Sequence, residues 1–191
     1  MQLDWISRLR DTLDPVVPPA PKAMEAGISS VLVVMGPHRA TGREEILLTK
    51  RTLSLGTHKG QVSFPGGFWE AEDATLIDTA LRESREEIGA KSSDIQVLGG
   101  LAPVRTHQGV DIFPWVGWMD FPYPFALNEA EVERVLFLPL RTLLEQGLAP
   151  VTVAVGGLSV KSLGIEVDGE MVWGATARIL DELRQRLLNN K

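Results

Sequence analysis

The chain of 191 residues contains no cysteine. Disulfides, thiolate metal ligands and a cysteine nucleophile are therefore excluded, and a cytoplasmic location is the expectation that accords with such usage. Also missing is any unbroken apolar stretch near the ~18 residues of a membrane span, so no membrane partner is expected. The opening MQLDWISRLRDTLDP sets acids within its apolar pattern, unlike a signal or transit peptide. Cations are not in excess: the net charge of −6 disfavours non-specific nucleic-acid binding, which depends on Lys and Arg neutralising phosphates. Internal repeats and low-complexity segments are absent as well.

What is present is the composition of an ordinary globular domain, 44% hydrophobic and 23% charged. The charge is unevenly distributed. Between His38 and Gln61 the cations Arg39, Arg43, Lys50, Arg51 and Lys59 face only Glu44 and Glu45, a net of +3. Between Glu70 and Glu87 the acids Glu70, Glu72, Asp73, Asp78, Glu83, Glu86 and Glu87 face Arg82 and Arg85, a net of −5. A basic segment beside an acidic one suggests an anionic small-molecule substrate and a divalent cation.

Trp5, Ile6, Leu9 and Leu13 recur at helical spacing, and the following DPVVPPAPK suits only an extended connector. Residues 1–27 are thus expected to form a helix with a Pro-rich connector, and 28–191 the main domain. From Ile28 the segments ISSVLVVM and EEILLTK read as paired strands about a GPHRATGR turn, and a third strand is expected over 61–64. The spacing predicts a helix over 74–89, its stripe formed by Ile77, Ala80, Leu81, Ser84 and Ile88, with Gly89 to stop it. IQVLGGLAPVRT and GVDIFPWVGWM read as a long hairpin and VERVLFLPL as another strand. A short helix over 140–146, strand and turn character over 151–172 and a helix over 175–188 complete the pattern. Strands on both sides of one long helix, with another at the end, argue for a mixed sheet enclosed by helices.

The segment FPGGFWEAEDATLIDTALRESREEIGA carries the chemistry. Helical spacing puts Glu83, Glu86 and Glu87 on one face, where like charges repel by roughly a few tenths of a kcal/mol per pair and oppose the helix dipole. One explanation is a solvated face neutralised by Arg82 and Arg85. The other is a set of hard oxygen ligands for Mg²⁺ or Mn²⁺. The preceding Gly66 and Gly67 favour the second, because they let backbone approach a metal or phosphate closely.

This segment resembles the Nudix signature through Gly67, the acids Glu70 to Asp73, and Arg82-Glu83-Ser84-Arg85-Glu86-Glu87-Ile88-Gly89. It departs where a Glu is usual at Ala74, the nearest acid being Asp73, and where Ser84 and Ala90 replace more apolar residues. Upstream, Leu47-Leu48-Thr49, Arg51, Gly60 and Phe64-Pro65-Gly66-Gly67 resemble the coenzyme A pyrophosphatase branch, although Thr52 and Gly56 differ from the usual Ser or Ala and Arg. The resemblance implies an α/β/α sandwich with a mixed β-sheet, here with an N-terminal helical extension. It implies metal-dependent hydrolysis of the coenzyme A diphosphate to 3′,5′-ADP and 4′-phosphopantetheine. Other branches would cleave ADP-ribose or a dinucleotide, and a non-catalytic module would only bind a nucleotide.

By the same resemblance Glu83, Glu86 and Glu87 are the metal ligands, with Arg82 orienting them, and Gly66 and Gly67 lie against metal or substrate. Arg39, Arg43, Arg51, His58 and Lys59 are candidate phosphate contacts, each with an ordinary surface charge as its alternative. The general base is sought among Glu83, Glu131 and Glu133. His58 and His107 are otherwise read as polar loop residues, and Trp115 and Trp118 as core rather than a platform for a base.

Overall fold

The computed structural model describes residues 5–15, 27–53 and 59–189. Most of the Pro-rich connector, from Val16 on, and His58 lie outside them. In chain order come α1 (Trp5–Thr12), β1 (Ile28–His38), β2 (Arg43–Arg51), β3 (Val62–Ser63), β4 (Gly66–Phe68), α2 (Leu76–Ile88), β5 (Gln96–Gly100) and β6 (Val104–Arg105). Then follow β7 (Asp111–Trp118), β8 (Val132–Pro139), α3 (Leu140–Gln146), β9 (Ala149–Val155), β10 (Leu158–Val167), β11 (Glu170–Trp173) and α4 (Gly174–Asn189).

The unbroken apolar run of β1 needs cover on both of its faces, because successive side chains alternate across a sheet. Val31, Val33 and Met35 join Ile46 and Leu48 of β2 in one core with Leu143, Leu180 and Leu183. Leu32 and Val34 join Leu47 in a second core with Leu76, Ile77, Ala80 and Ile88 of α2. The sheet therefore lies between α2 on one side and α3 and α4 on the other. This is the α/β/α sandwich expected from the sequence.

Strand order is β3-β2-β1-β7-β5, with β4 also on β1, β6 on β7 and β8 on β2. β1 and β7 run parallel from Ile28↔Asp111 to Met35↔Trp118, whereas β2 and β4 pair antiparallel with β1, so the sheet is mixed. β4 meets β1 at residues 29–31 and β2 meets it from Met35 onward, with Leu32 N–H donating to the Pro65 carbonyl between them. That fork presents Gly66 and Gly67 to the start of β1.

The turn expected over 36–43 is shorter than its composition suggests, because β1 continues to His38 and β2 begins at Arg43. Long-range bonds sustain the strand through Gly36 and Pro37: Met119 N–H donates to Met35 O and Phe121 N–H to Pro37 O. Gly36 is required there, since a Cβ would overlap the Met119 carbonyl. The expected hairpin is present as β5 and β6 against β7, bulged between Val97 and Gly99. Residues 151–172 fall within a separate antiparallel sheet, β9-β10-β11. The N-terminal helix is docked: Leu9 is fully buried, and Arg8 Nη2 donates to the Leu187 carbonyl at 3.0 Å. Among the described residues no helix is long and apolar enough to cross a membrane.

Candidate active site

α2 carries the acidic cluster, and its ends are set by local chemistry. Thr75, extended at φ −141°, accepts the Asp78 N–H on its hydroxyl, so the helix begins at Leu76, two residues later than its apolar pattern suggests. Gly89 closes it in the left-handed region at φ 70°, returning its N–H to Arg85 O and Ser84 O. Burial of Leu76, Ile77, Ala80 and Ile88 fixes the rotation of the helix and turns Glu83 and Glu87 toward β4.

The three glutamates differ sharply in environment. Glu87 is only 2% exposed; its Oε2 accepts the Gly66 N–H at 3.2 Å and its Oε1 accepts Arg51 Nη1 at 3.3 Å. Burial pushes its carboxyl up to about 7, a rise that Arg51 and the Gly66 amide offset only in part. Glu83 is half-buried, and burial raises its carboxyl too, against the pull of Arg82. A Cβ on Gly67 would overlap the Glu83 carboxylate, so the glycine leaves that carboxylate its place. Glu86 is exposed and pairs with Arg82 Nη1 at 3.2 Å.

Arg82 organises the cluster. Its Nε and Nη2 donate to the two oxygens of Asp73, both at 3.0 Å, Nη1 donates to Glu83 at 2.9 Å, and Nη2 also reaches the Phe68 carbonyl at 3.0 Å. The guanidinium is held more firmly protonated than an ordinary arginine, first by Asp73 and then by Glu83. Burial alone would raise the Asp73 carboxyl, but the Arg82 hydrogen bonds hold it below its usual range. The irregular spacing of the signature is thereby explained: Ala74 is exposed, whereas Asp73 is buried and points its acid inward.

Glu131 stands beside the cluster, close enough for its charge to raise both Glu83 and Glu87. Asn128 Nδ2 holds Glu131 Oε1 at 3.1 Å, while the Asn128 N–H donates to the Glu87 carbonyl at 2.9 Å. Glu133 is held elsewhere, paired with Lys50 at 3.2 Å.

The structure does not gather all the expected cations. Arg51 ends β2 at the cluster, but Arg43 begins that strand, eight residues and roughly 26 Å away at strand rise. Arg39 lies in the turn at that remote end and pairs with Asp120 at 2.6 Å. A common basic segment thus does not make a common site, because β2 carries its two ends apart. Lys59 is exposed in the turn before β3, two residues from Gln61, whose carbonyl accepts the Arg51 N–H. His107 is exposed in the β6–β7 turn, and Trp115 is core, its Nε1 donating to Ser30 at 3.1 Å.

Among the described residues no three His, Asp or Glu side chains already converge as a metal cage. The carboxylates of α2 are turned instead onto Arg82 and Arg51. Their chemistry still suits a hard divalent ion: the donors are carboxylate oxygens, one is buried with partial compensation, and Gly67 leaves the space a side chain would take.

The NUDIX domain model matches residues 29–150. The chain belongs to the Nudix family. It is 31% identical over 185 residues, 96% of both chains, to a protein of Photorhabdus laumondii named as the uncharacterised Nudix hydrolase NudL. A NudL protein of Salmonella paratyphi B is 39% identical over 139 residues, 72% of each chain. In fold, this Nudix chain is similar to the NUDIX domain of Shewanella oneidensis NrtR, solved with ADP ribose, at a TM-score of 0.54 and 21% identity over 87% of this chain and 92% of that one. Nudix membership implies hydrolysis of a phosphoric anhydride, typically with a divalent metal such as Mg²⁺.

Proposed function

We propose that the chain hydrolyses the diphosphate of coenzyme A, or of a close derivative, to 3′,5′-ADP and 4′-phosphopantetheine in the presence of Mg²⁺ or Mn²⁺. One observation carries this above all: Arg51, from the segment that resembles coenzyme A pyrophosphatases, meets Glu87 on the acidic helix at 3.3 Å. The two motifs on which the resemblance rests thus meet at one point. We assign the catalytic domain to 28–191, with 1–27 as its appendage.

A diphosphate brings charge that three carboxylates would repel. Glu83, Glu86 and Glu87 would hold the divalent ion, which supplies neutralisation of the phosphate oxygens and lowers the pKa of a bound water. Arg82 orients Glu83 and Glu86 through charge-assisted hydrogen bonds. Arg51 and Lys59 offer cations to the substrate phosphates. Glu131, oriented by Asn128, takes the proton of the attacking water. The water oxygen bonds to one phosphorus as the bridging P–O bond breaks, and the bridging oxygen departs with the other phosphate.

Incubation with coenzyme A and Mg²⁺, followed by chromatographic separation, tests the proposal. The two named products are expected. Rapid cleavage of ADP-ribose or a dinucleotide with coenzyme A intact reassigns the substrate, and calorimetric binding of coenzyme A without turnover points to a non-catalytic module.

A further inference from the structure

Away from the site, the sheet β9-β10-β11 ends in an open edge. Among the described residues β9 pairs only with β10, so its outer backbone groups present a template for another strand. Proteins usually guard such edges with charge, and here the guard is missing. Residues 146–160 contain no Asp, Glu, Lys, Arg or His, in a chain of which 23% is charged. The register Val155↔Leu158, Val153↔Val160 and Val151↔Ser162 places Val151, Val153, Val155, Leu158 and Val160 on one face of the hairpin. Leu158 is 72% exposed and Val155 36%. At the tip, a Cβ on Gly156 or Gly157 would meet nothing within 4 Å, so the tip stands clear of the body, while Val151, Val153 and Val160 are half-buried.

We infer that this arm pairs with the same arm of a second copy, β9 against β9, antiparallel about a two-fold axis through Val153. The strand's own sequence singles out a second copy, and the arm's neutrality permits the approach. With a net charge of −6, copies of this chain repel one another over much of their surface, and the arm is a place where they meet without opposing like charges. The strand is self-complementary. A two-fold through Val153 sets Val153 opposite its counterpart and Val151 opposite Val155, which joins the two apolar faces through valine pairs, with Thr152 opposite Ala154 on the other face. Pro150, which lacks an N–H, confines the pairing to the residues beyond it. A standard interface takes about 20–30 residues per side, and the arm offers roughly half of that, so the dimer is weak, with Kd in the micromolar range.

Sedimentation velocity of the full chain from about 1 to 200 µM tests this. The expected result is a concentration-dependent passage from monomer to dimer. Val153→Lys and Val153→Glu should each weaken the dimer at least about tenfold through like-charge repulsion, with melting and hydrolytic activity retained. An equimolar mixture of the two should restore it, since the two-fold sets residue 153 against itself. If either Val153 variant fails to fold, Val155→Ser, at an exposed β9 position that the two-fold sets against Val151 of the copy, should weaken the dimer with the fold intact. A wild-type chain monomeric throughout, a Val153 or Val155 variant that dimerises normally, or a folded Lys and Glu mixture that remains monomeric overturns the pairing.

Discussion

Arg51, the last residue of β2, donates from Nη1 to Oε1 of the buried Glu87 at 3.3 Å, across 36 positions of chain. This contact binds the basic segment to the acidic helix, yet it leaves the Glu87 carboxyl pushed up to about 7, because burial outweighs a single partly exposed guanidinium. The carboxylate is therefore a costly group to ionise in the absence of an ion, and the consequences are measurable.

Glu87→Gln should lower kcat by on the order of 10³ if that carboxylate holds metal in the transition state. The fold should survive, and in EDTA at pH 8 the variant should melt no lower than the wild type, since a buried charge is replaced by a neutral isostere. Mg²⁺ should then raise its melting temperature much less than that of the wild type. Turnover kinetics and thermal melts with and without Mg²⁺ read both effects.

The metal-free protein should lose stability as pH rises from 5 to 8. Glu87 binds its proton more tightly folded than unfolded, so its contribution is complete below the ordinary value of 4.5 and vanishes as pH passes about 7, a loss on the order of 3 kcal/mol. Glu83 is shifted in the same direction by burial, whereas Asp73, held low by Arg82 despite its own burial, loses its contribution only at lower pH. Urea unfolding in EDTA should show this slope in the wild type and a much smaller one in Glu87→Gln.

Arg82→Ala should cost about 3–5 kcal/mol, because it strands the buried Asp73 carboxylate without its partner. Arg82→Lys should recover only part of that, since an ammonium cannot reproduce the two-pronged bond to Asp73 while reaching Glu83 and Phe68. Chemical denaturation of both variants checks the order.

Gly67→Ala isolates the cradle around Glu83. Gly67 is not among the positive-φ glycines, so alanine is acceptable to the backbone, but its Cβ would displace the Glu83 carboxylate. Mn²⁺ affinity should fall by about 10-fold or more, as measured by calorimetry. Arg39→Ala supplies the contrast: its side chain is 76% exposed beside Asp120 at the far end of β2, and kcat/KM should be unchanged within about twofold.

The parts of this molecule that were legible in the sequence are those set by local pattern. The β-branched runs of β1 and β2 announced a pair of strands, and the stripe on α2 with Gly89 after it announced a helix presenting carboxylates. What was not legible depended on long-range register. Whether position 73 or 74 turns its acid inward is decided by the turn before α2, where the Glu70 N–H and Arg82 hold Asp73. Arg39 and Arg51 look like neighbours in a basic segment, but an extended strand separates them. Glu131 reaches the cluster because β8 pairs with β2, shifting register between Lys50 and Arg51 so that Arg51 faces Val132. No spacing of residues in sequence distinguishes Glu131 from Glu133, whereas the structure gives one to Asn128 beside the site and the other to Lys50.

Crystals soaked in Mn²⁺ and measured at its absorption edge test the assignment of the acidic helix most directly. An anomalous peak bounded by the carboxylates of Glu83, Glu86 and Glu87 is the expected result, with Glu87 freed at least in part from Arg51. Ordered carboxylates still paired with Arg82 and Arg51, and no peak among them at saturating Mn²⁺, would contradict it.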